Sequence, residues 1–288
     1  MGGDGTSLLM TPILVTGGTG QLATALAKLG GARVVRVGRP AFDFDRPESL
    51  DETVAAHDPT LVVNAAAWTA VDAAEQHPDA AARANVDGPA RLARLCSQRG
   101  IPLIHVSTDY VFDGMKGAPY RETDQPNPIG VYGRTKLAGE QAALAAWERV
   151  AVLRTSWVYS PVGKNFVRTM LAAAARNQSL RVVADQRGCP TAAWDLAAAI
   201  LTISEQMLAG WRPEHRGVFH AAGTGDTTWY CLALDLFEAA ARHGRPVPDL
   251  VPITTAEWPT PVRRPPDSRL NCARLAQTFG VRLPPWRE

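Results

Sequence analysis

The chain has 288 residues, 46% hydrophobic and 20% charged, with a formal net charge of +2. That length and balance describe a folded protein of one large or two modest domains. A charge so near zero gives no argument for nucleic-acid or membrane partners, and no apolar run reaches membrane-spanning length. Cys96, Cys189, Cys231 and Cys272 stand far apart with no metal-ligand spacing, so isolated buried thiols are expected.

Residues 1–11 begin glycine-rich and lack a basic region ahead of a long apolar core. They read as a loose extension rather than a signal peptide, and a cytoplasmic protein is expected. Ile13-Leu14-Val15 is a short apolar run that meets Thr16-Gly17-Gly18-Thr19-Gly20, and a helical pattern starts at Gln21. Strand, glycine turn and helix are the context a dinucleotide fingerprint needs. Gly18, Gly20 and Ala23 fit G-x-G-x-x-A, and Gly17, Gly20 and Ala23 equally fit T-G-x-x-G-x-x-A behind Thr16. Such glycines let the backbone approach a pyrophosphate at the positive end of the helix.

Residues 33–37 form a second strand with Arg36 and Arg39 at or past its end, where a 2′-phosphate sits in such folds. Asp43 and Asp45 follow, and an acid there favours a free ribose hydroxyl. With both present the residues leave the cofactor choice open, and each arginine reads equally as a solvated strand-end charge; NADPH with tolerance of NADH is the expectation. Residues 47–56 read as a helix opened by proline. Residues 61–64 read as a third strand, 78–99 as a long helical stretch holding Asn85, and 101–106 as a fourth strand. Strands alternating with helices give a parallel sheet.

Val131-Tyr132-Gly133-Arg134-Thr135-Lys136 then sets a tyrosine and a lysine one helical turn apart. An ammonium beside a phenol is expected to lower the tyrosine pKa toward the range useful for proton transfer at a carbonyl. Thr108, at the carboxyl end of the fourth strand, offers a hydroxyl across the same crevice. Further on, 150–155 reads as a strand, 165–175 as a helix, 180–184 as a short strand and 191–207 as a helix. Residues 218–221 read as a last core strand and 227–242 as a helix. Residues 245–266 carry seven prolines and read as loop.

Thr108, Tyr132 and Lys136 behind a glycine loop resemble the residue set of the short-chain dehydrogenase/reductase superfamily in its extended form. The closer resemblance is to the dTDP-4-dehydrorhamnose reductases. It is carried by Asn64-Ala-Ala-Ala-Trp-Thr-Ala-Val-Asp72, Ser107-Thr-Asp-Tyr-Val-Phe112, Glu122-Thr-Asp124, Val131–Glu140, Arg154-Thr-Ser-Trp-Val-Tyr159, Asn165-Phe166, Asp185-Gln186, Pro190-Thr191, Arg264-Pro265 and Ser268-Arg-Leu-Asn271. Tyr-x-x-x-Lys alone is a weak signal, and most copies are ordinary helix surface. Ser-Thr-Asp-Tyr-Val-Phe followed by Arg-Thr-Ser-Trp-Val-Tyr is a specific one.

The resemblance implies a Rossmann-type doubly wound parallel sheet with a smaller C-terminal α/β substrate domain. The expected division is 12–158 plus 190–224 for the cofactor and 159–189 plus 225–288 for a nucleotide-sugar. It implies reduction of the 4-keto group of dTDP-4-dehydro-β-L-rhamnose by NAD(P)H. Tyr132 is then the acid, Lys136 its tuning partner and ribose holder, and Thr108 a hydrogen-bond donor to the substrate oxygen. Gly17, Gly20, Gln21 and Leu22 belong to the pyrophosphate turn. Asp43 and Phe44 match an adenosine contact, and Ala67, Trp68 and Thr69 a third-strand contact. Thr108, Asp109 and Trp157 match substrate contacts, and Arg264 suits a diphosphate. Trp157 alone reads equally as core, and Arg264 as a solvated loop residue. Some such reductases are dimers bridged by Mg²⁺ through carboxylates. Thr24, Ala25 and Trp194 stand near those positions here and supply no acid. No metal is therefore expected, and a monomer or weak homodimer is. The rival readings are another nucleotide-sugar 4-ketoreductase or epimerase, and a non-enzymatic regulatory subunit of the same fold.

Overall fold

A computed structural model describes residues 12–288, and the expected loose extension at 1–11 lies outside them. In chain order the strands are β1 (Ile13–Val15), β2 (Val34–Arg36), β3 (Leu61–Asn64), β4 (Leu103–Thr108), β5 (Val150–Thr155), β6 (Val158–Tyr159), β7 (Ser179–Val183), β8 (Arg187–Gly188), β9 (Thr191–Ala192), β10 (Gly217–His220), β11 (Thr227–Thr228) and β12 (Asp249–Ile253). The α-helices are α1 (Gln21–Gly30), α2 (Glu48–His57), α3 (Val71–Gln76), α4 (Pro78–Ala82), α5 (Gly88–Arg99), α6 (Val131–Ala146), α7 (Phe166–Ala174), α8 (Ala193–Ala209), α9 (Trp229–Arg242) and α10 (Ala273–Phe279).

Among the described residues, six strands form the main sheet in the order β10-β5-β4-β3-β1-β2. Every neighbouring pair in it is parallel. The strands are short and apolar because both faces are covered. Alternation sorts their side chains. Ile13, Val15, Leu61, Val63, Ala151 and Leu153 enter one core with α1 and α8. Leu14, Val62, Val150 and Val152 enter the other, with α2 and α5. This is the doubly wound α/β architecture expected.

The chain reverses direction across the sheet between β1 and β3, and ligands bind at such switch points. Gly17 (φ 104°) sits there, and a Cβ on it would lie 2.8 Å from the Ala65 carbonyl oxygen. Only glycine brings the loop after β1 this close to the end of β3.

Three expectations are corrected. The helical stretch from residue 78 is not uniform: Arg83–Asp87 is a π turn between α4 and α5. The proline-rich stretch contains β12, which pairs in parallel with β7 alone, so Pro252 is tolerated on a two-stranded edge. The C-terminal helix α10 went unread, and its Leu275 and Phe279 join the core under the main sheet. Of the four thiols, Cys96 and Cys189 are buried, Cys272 is partly buried and Cys231 is exposed. No helix among the described residues is long and apolar enough to cross a membrane.

Candidate active site

A cavity of about 1010 Å³ runs along the carboxyl ends of β1, β3, β4 and β5. Its lining includes the glycine loop, Arg36, Arg39, Asp43, Phe44, Ala67, Trp68, Thr69, Thr108, Asp109, Tyr132, Lys136 and Trp157. Asp45 lies outside this lining, paired with Arg83 at 2.9 Å, and so does Arg264. Arg264 reaches across from the C-terminal segment to α3, where its Nη2 donates to Asp72 Oδ2 at 2.8 Å. Arg264 Nη1 and Asp72 Oδ1 are buried without partners.

The cofactor end is built by local rules. α1 opens directly after Gly20, whose amide donates to the Gly17 carbonyl at 2.9 Å. The first-turn amides of α1 thus face the cavity, an arrangement that suits an anion. Gly38 leaves the loop after β2 free to lie on Gly18, since a Cβ there would come 2.4 Å from the Gly18 Cα. Arg36 Nη1 donates to Thr24 Oγ1 at 3.0 Å, and Arg39 pairs with Asp43 at 3.3 Å. These residues fit a dinucleotide: backbone cleared for a pyrophosphate, with cations at the end of the second strand.

Buried polar side chains fix the rest. Thr16 Oγ1 donates to Asn64 Oδ1 at 2.7 Å, and Asn64 Nδ2 lies 3.0 Å from His105 Nδ1, joining β1, β3 and β4. The π turn aims Asn85 at the Trp68 backbone, accepting from its N–H at 2.8 Å and donating to its carbonyl at 3.1 Å. That places Trp68 at the cavity wall.

At the reaction end, Thr108 closes β4 and caps the short turn after it. Its Oγ1 accepts from the Tyr110 N–H at 3.2 Å and donates to Asp109 Oδ1 at 3.1 Å. Burial pushes Asp109 up to about 6, against the opposing Ser268 and Thr108 hydroxyls. The Tyr110 ring packs edge-on to Tyr132 at 5.6 Å. Lys136 is 2% exposed, and its Nζ donates to the Val106 carbonyl at 2.7 Å.

The expected downward tuning of Tyr132 is corrected. Loss of solvation in the cleft pushes its phenol up to about 12, opposed by Thr108. Burial also pushes Lys136 down to about 8. A phenol held high stays protonated at neutral pH, which suits a group that gives its proton to a ketone.

Trp157 faces the cavity and is also packed on its neighbours. Its ring stacks on Trp229 with centroids 3.4 Å apart and planes 6° from parallel. Its backbone is left-handed (φ 47°), unusual for a non-glycine residue. Gly188 admits the indole, because a Cβ there would lie 2.4 Å from Trp157 Cε2.

Residues 10–288 match the family described as RmlD substrate binding domain. The chain is 45% identical to a dTDP-4-dehydrorhamnose reductase of Sinorhizobium fredii, over 96% of this chain and 94% of that one. The chain belongs to the dTDP-4-dehydrorhamnose reductase family. A solved reductase of this family from Bacillus anthracis, in complex with NADP, superposes with a TM-score of 0.88 at 29% identity, covering 96% of each chain. A probable dTDP-4,6-dihydroxy-2-methyloxan-3-one 4-ketoreductase of Streptomyces antibioticus is 40% identical, over 95% of this chain and 91% of its own.

Reasoning from sequence missed further parts of this reductase. Lys164 lines the cavity beside Gly163. Its loop is tied to the glycine turn because Asn165 Nδ2 and Ser160 Oγ donate to Gln21 Oε1 at 2.8 and 3.0 Å. Glu75 accepts from the Val131 N–H at 2.5 Å and so caps the helix that carries Tyr132. For Glu75 the available signal was an acid inside a helical pattern, and for Asn165 an amide just ahead of one; Lys164 carried no such signal. No group of three or more His, Cys, Asp or Glu side chains able to hold a metal gathers among the described residues.

Proposed function

We propose that this reductase converts the 4-keto group of dTDP-4-dehydro-β-L-rhamnose to the alcohol of dTDP-β-L-rhamnose, with NADPH preferred and NADH tolerated. The observation that carries this reading is that Thr108, Tyr132, Lys136 and the glycine turn line one continuous cavity. When bound, the reduced nicotinamide supplies the hydride that reaches the keto carbon. Tyr132 gives its phenolic proton to the keto oxygen, so one hydride and one proton complete the alcohol. The Thr108 hydroxyl orients that oxygen, and Lys136 holds the nicotinamide ribose and faces the charge left on the tyrosine.

Arg36 and Arg39, at the end of β2, favour a 2′-phosphate and so NADPH. On the substrate side, the Trp157 indole offers a flat apolar face to a deoxysugar or thymine. The guanidinium of Arg264 suits the diphosphate, and its unpartnered Nη1 is the donor in question. In this reading 12–158 plus 190–224 holds the cofactor, with Thr108 and Trp157 reaching the sugar from it, and 159–189 plus 225–288 holds the sugar, except α10, which packs under the main sheet. The Streptomyces antibioticus relative supports a second reading, a 4-ketoreductase of a different dTDP-deoxysugar.

The test is turnover of purified protein with NADPH or NADH and a panel of dTDP- and UDP-4-ketosugars, with product identification. Net NADPH oxidation with dTDP-β-L-rhamnose as product is expected. Product without net cofactor consumption selects an epimerase, and no turnover with any sugar selects a non-enzymatic role.

A further inference from the structure

The helix α6 carries Tyr132, Lys136 and Glu140 at four-residue intervals, so the three share one face. The first two belong to the proposed chemistry. The third is 1% exposed and lies deeper, under the cavity. Its carboxylate receives a two-pronged guanidinium from Arg154 of β5, with Nε to Oε1 at 2.9 Å and Nη2 to Oε2 at 2.7 Å. Ser107 of β4 also donates its hydroxyl to Glu140 Oε1. Ser107 and Arg154 are direct partners in the β4–β5 register, so one carboxylate clasps two adjacent strands.

Consecutive residues at the end of β4 are therefore all engaged. Val106 binds Lys136 through its carbonyl, Ser107 binds Glu140, and Thr108 faces the substrate site. A clasp on Ser107 sets the position of the neighbours on both sides. An apolar trio of the same shape would hold the strands about as well, because buried ion pairs add little net stability over well-packed hydrophobes. What apolar groups cannot supply is a negative charge one turn from a buried ammonium.

The local charges make that distinction matter. Lys136 and Arg154 are two buried cations, and Glu140 is the carboxylate between them. The neighbouring titratable groups do not take its place. His105 of β4 is driven well below its usual range by burial and by Lys136. His220 of β10 is pushed to about 3 by burial and by Arg154. Asp109, in the turn after β4, is held up at about 6, and Tyr110 beside it is raised by burial. Cys96 of α5 is a buried thiol pushed to about 12. On the elements packed against the other side of α6, Glu75 accepts from the Val131 N–H at the start of α6, Asp72 pairs with Arg264, Arg83 with Asp45 and Arg91 with Asp51, while Asp79, Asp87, Arg94 and Arg99 are exposed to solvent.

We propose that Glu140 is a positioning residue for the reduction, clasping the Ser107 end of β4 to α6 and keeping Lys136 in its ammonium form. This rests on the reading of Lys136 as the ribose holder and partner of Tyr132. Burial alone drives the lysine toward neutrality, and Glu140 opposes it, leaving the group near 8. Below that pH the ammonium is present, and above it the ammonium is lost.

The test measures NADPH affinity by fluorescence from pH 6 to 9.5, beside kcat/KM, in the parent, Glu140→Gln, Glu140→Asp and Arg154→Met, with a melting curve for each. Affinity and kcat/KM of the parent should fall as pH rises through about 8. In Glu140→Gln the fall should start on the order of one pH unit lower. Glu140→Asp keeps the charge and should keep the parent limb while lowering kcat. Arg154→Met leaves the carboxylate to Lys136 alone and should move the limb upward. A folded Glu140→Gln whose limb matches the parent overturns the proposal and leaves a framework ion pair. If that variant does not fold, an unmoved limb in Arg154→Met does the same. The binding arm stands apart from sugar turnover, so a failed substrate assignment and a failed role for Glu140 are told apart.

Discussion

Tyr132 is mostly buried at the cleft, and that burial holds its phenol near 12, a pKa that keeps the proton in place until a ketone oxygen accepts it. Tyr132→Phe retains the ring and removes that proton. The rate of ketosugar reduction should fall on the order of 10²–10⁴-fold, with NADPH affinity nearly unchanged, as kinetics beside a binding titration will show. Asp109 makes a separate statement about stability. Its folded pKa is raised from 3.8 to about 6, so between those values the folded chain binds more protons than the unfolded one. Stability contributed by the protonated acid is full below the lower value and is lost as pH rises through about 6. At pH 7 the buried carboxylate costs about 3 kcal/mol. Asp109→Asn should therefore raise the melting midpoint at pH 7–8 and lose that advantage toward pH 4. Residue types and spacing made Thr108, Tyr132 and Lys136 legible in the sequence. The direction of the Tyr132 shift was not, because desolvation depends on what the fold packs around the ring.

α6 owes its seat to small residues as much as to its apolar face. Gly139 meets the backbone of the π turn so closely that a Cβ would fall 1.9 Å from the Asn85 carbonyl oxygen. Gly139→Ala must push α6 away from Arg83–Asp87. A loss of roughly 1–3 kcal/mol is expected, as overpacking costs elsewhere. A lower kcat should accompany it, since the same helix carries Tyr132 and Lys136, and a melting curve with steady-state kinetics checks both. Elements with a local signal were readable: the glycine turn between β1 and α1, the buried runs of β3 and β5, and the amphipathic α9. The π turn was hidden because the contact it serves, Asn85 to the Trp68 backbone, spans 17 residues of sequence. β12 was hidden because Pro252 and the prolines around it speak against a strand, whereas a strand with one partner tolerates Pro252. Glu140 had no role read from the sequence, because its partner Arg154 comes from β5, 14 residues on.

Across the whole molecule, Arg264 and Asp72 join segments 192 residues apart at the edge of the cleft. If Arg264 turns its free nitrogen to a diphosphate, Arg264→Ala should raise the KM for the dTDP-sugar on the order of 10–100-fold, the range for a lost charge-assisted hydrogen bond. Asp72→Asn should not raise it. A reduced melting midpoint with an unchanged KM would leave Arg264 as a strut alone. Another long-range contact is the stack of Trp157, on the loop after β5, against Trp229 at the start of α9. Parallel indoles 3.4 Å apart are coupled chromophores, and their ultraviolet transitions mix and split. The protein should therefore carry a paired positive and negative band in its circular dichroism that Trp229→Leu abolishes while the melt stays cooperative. Because Trp157 faces the cavity on its way to Trp229, the amplitude of that band is a built-in optical gauge. It should change when a dTDP-sugar enters and stay constant when the nucleotide site fills alone.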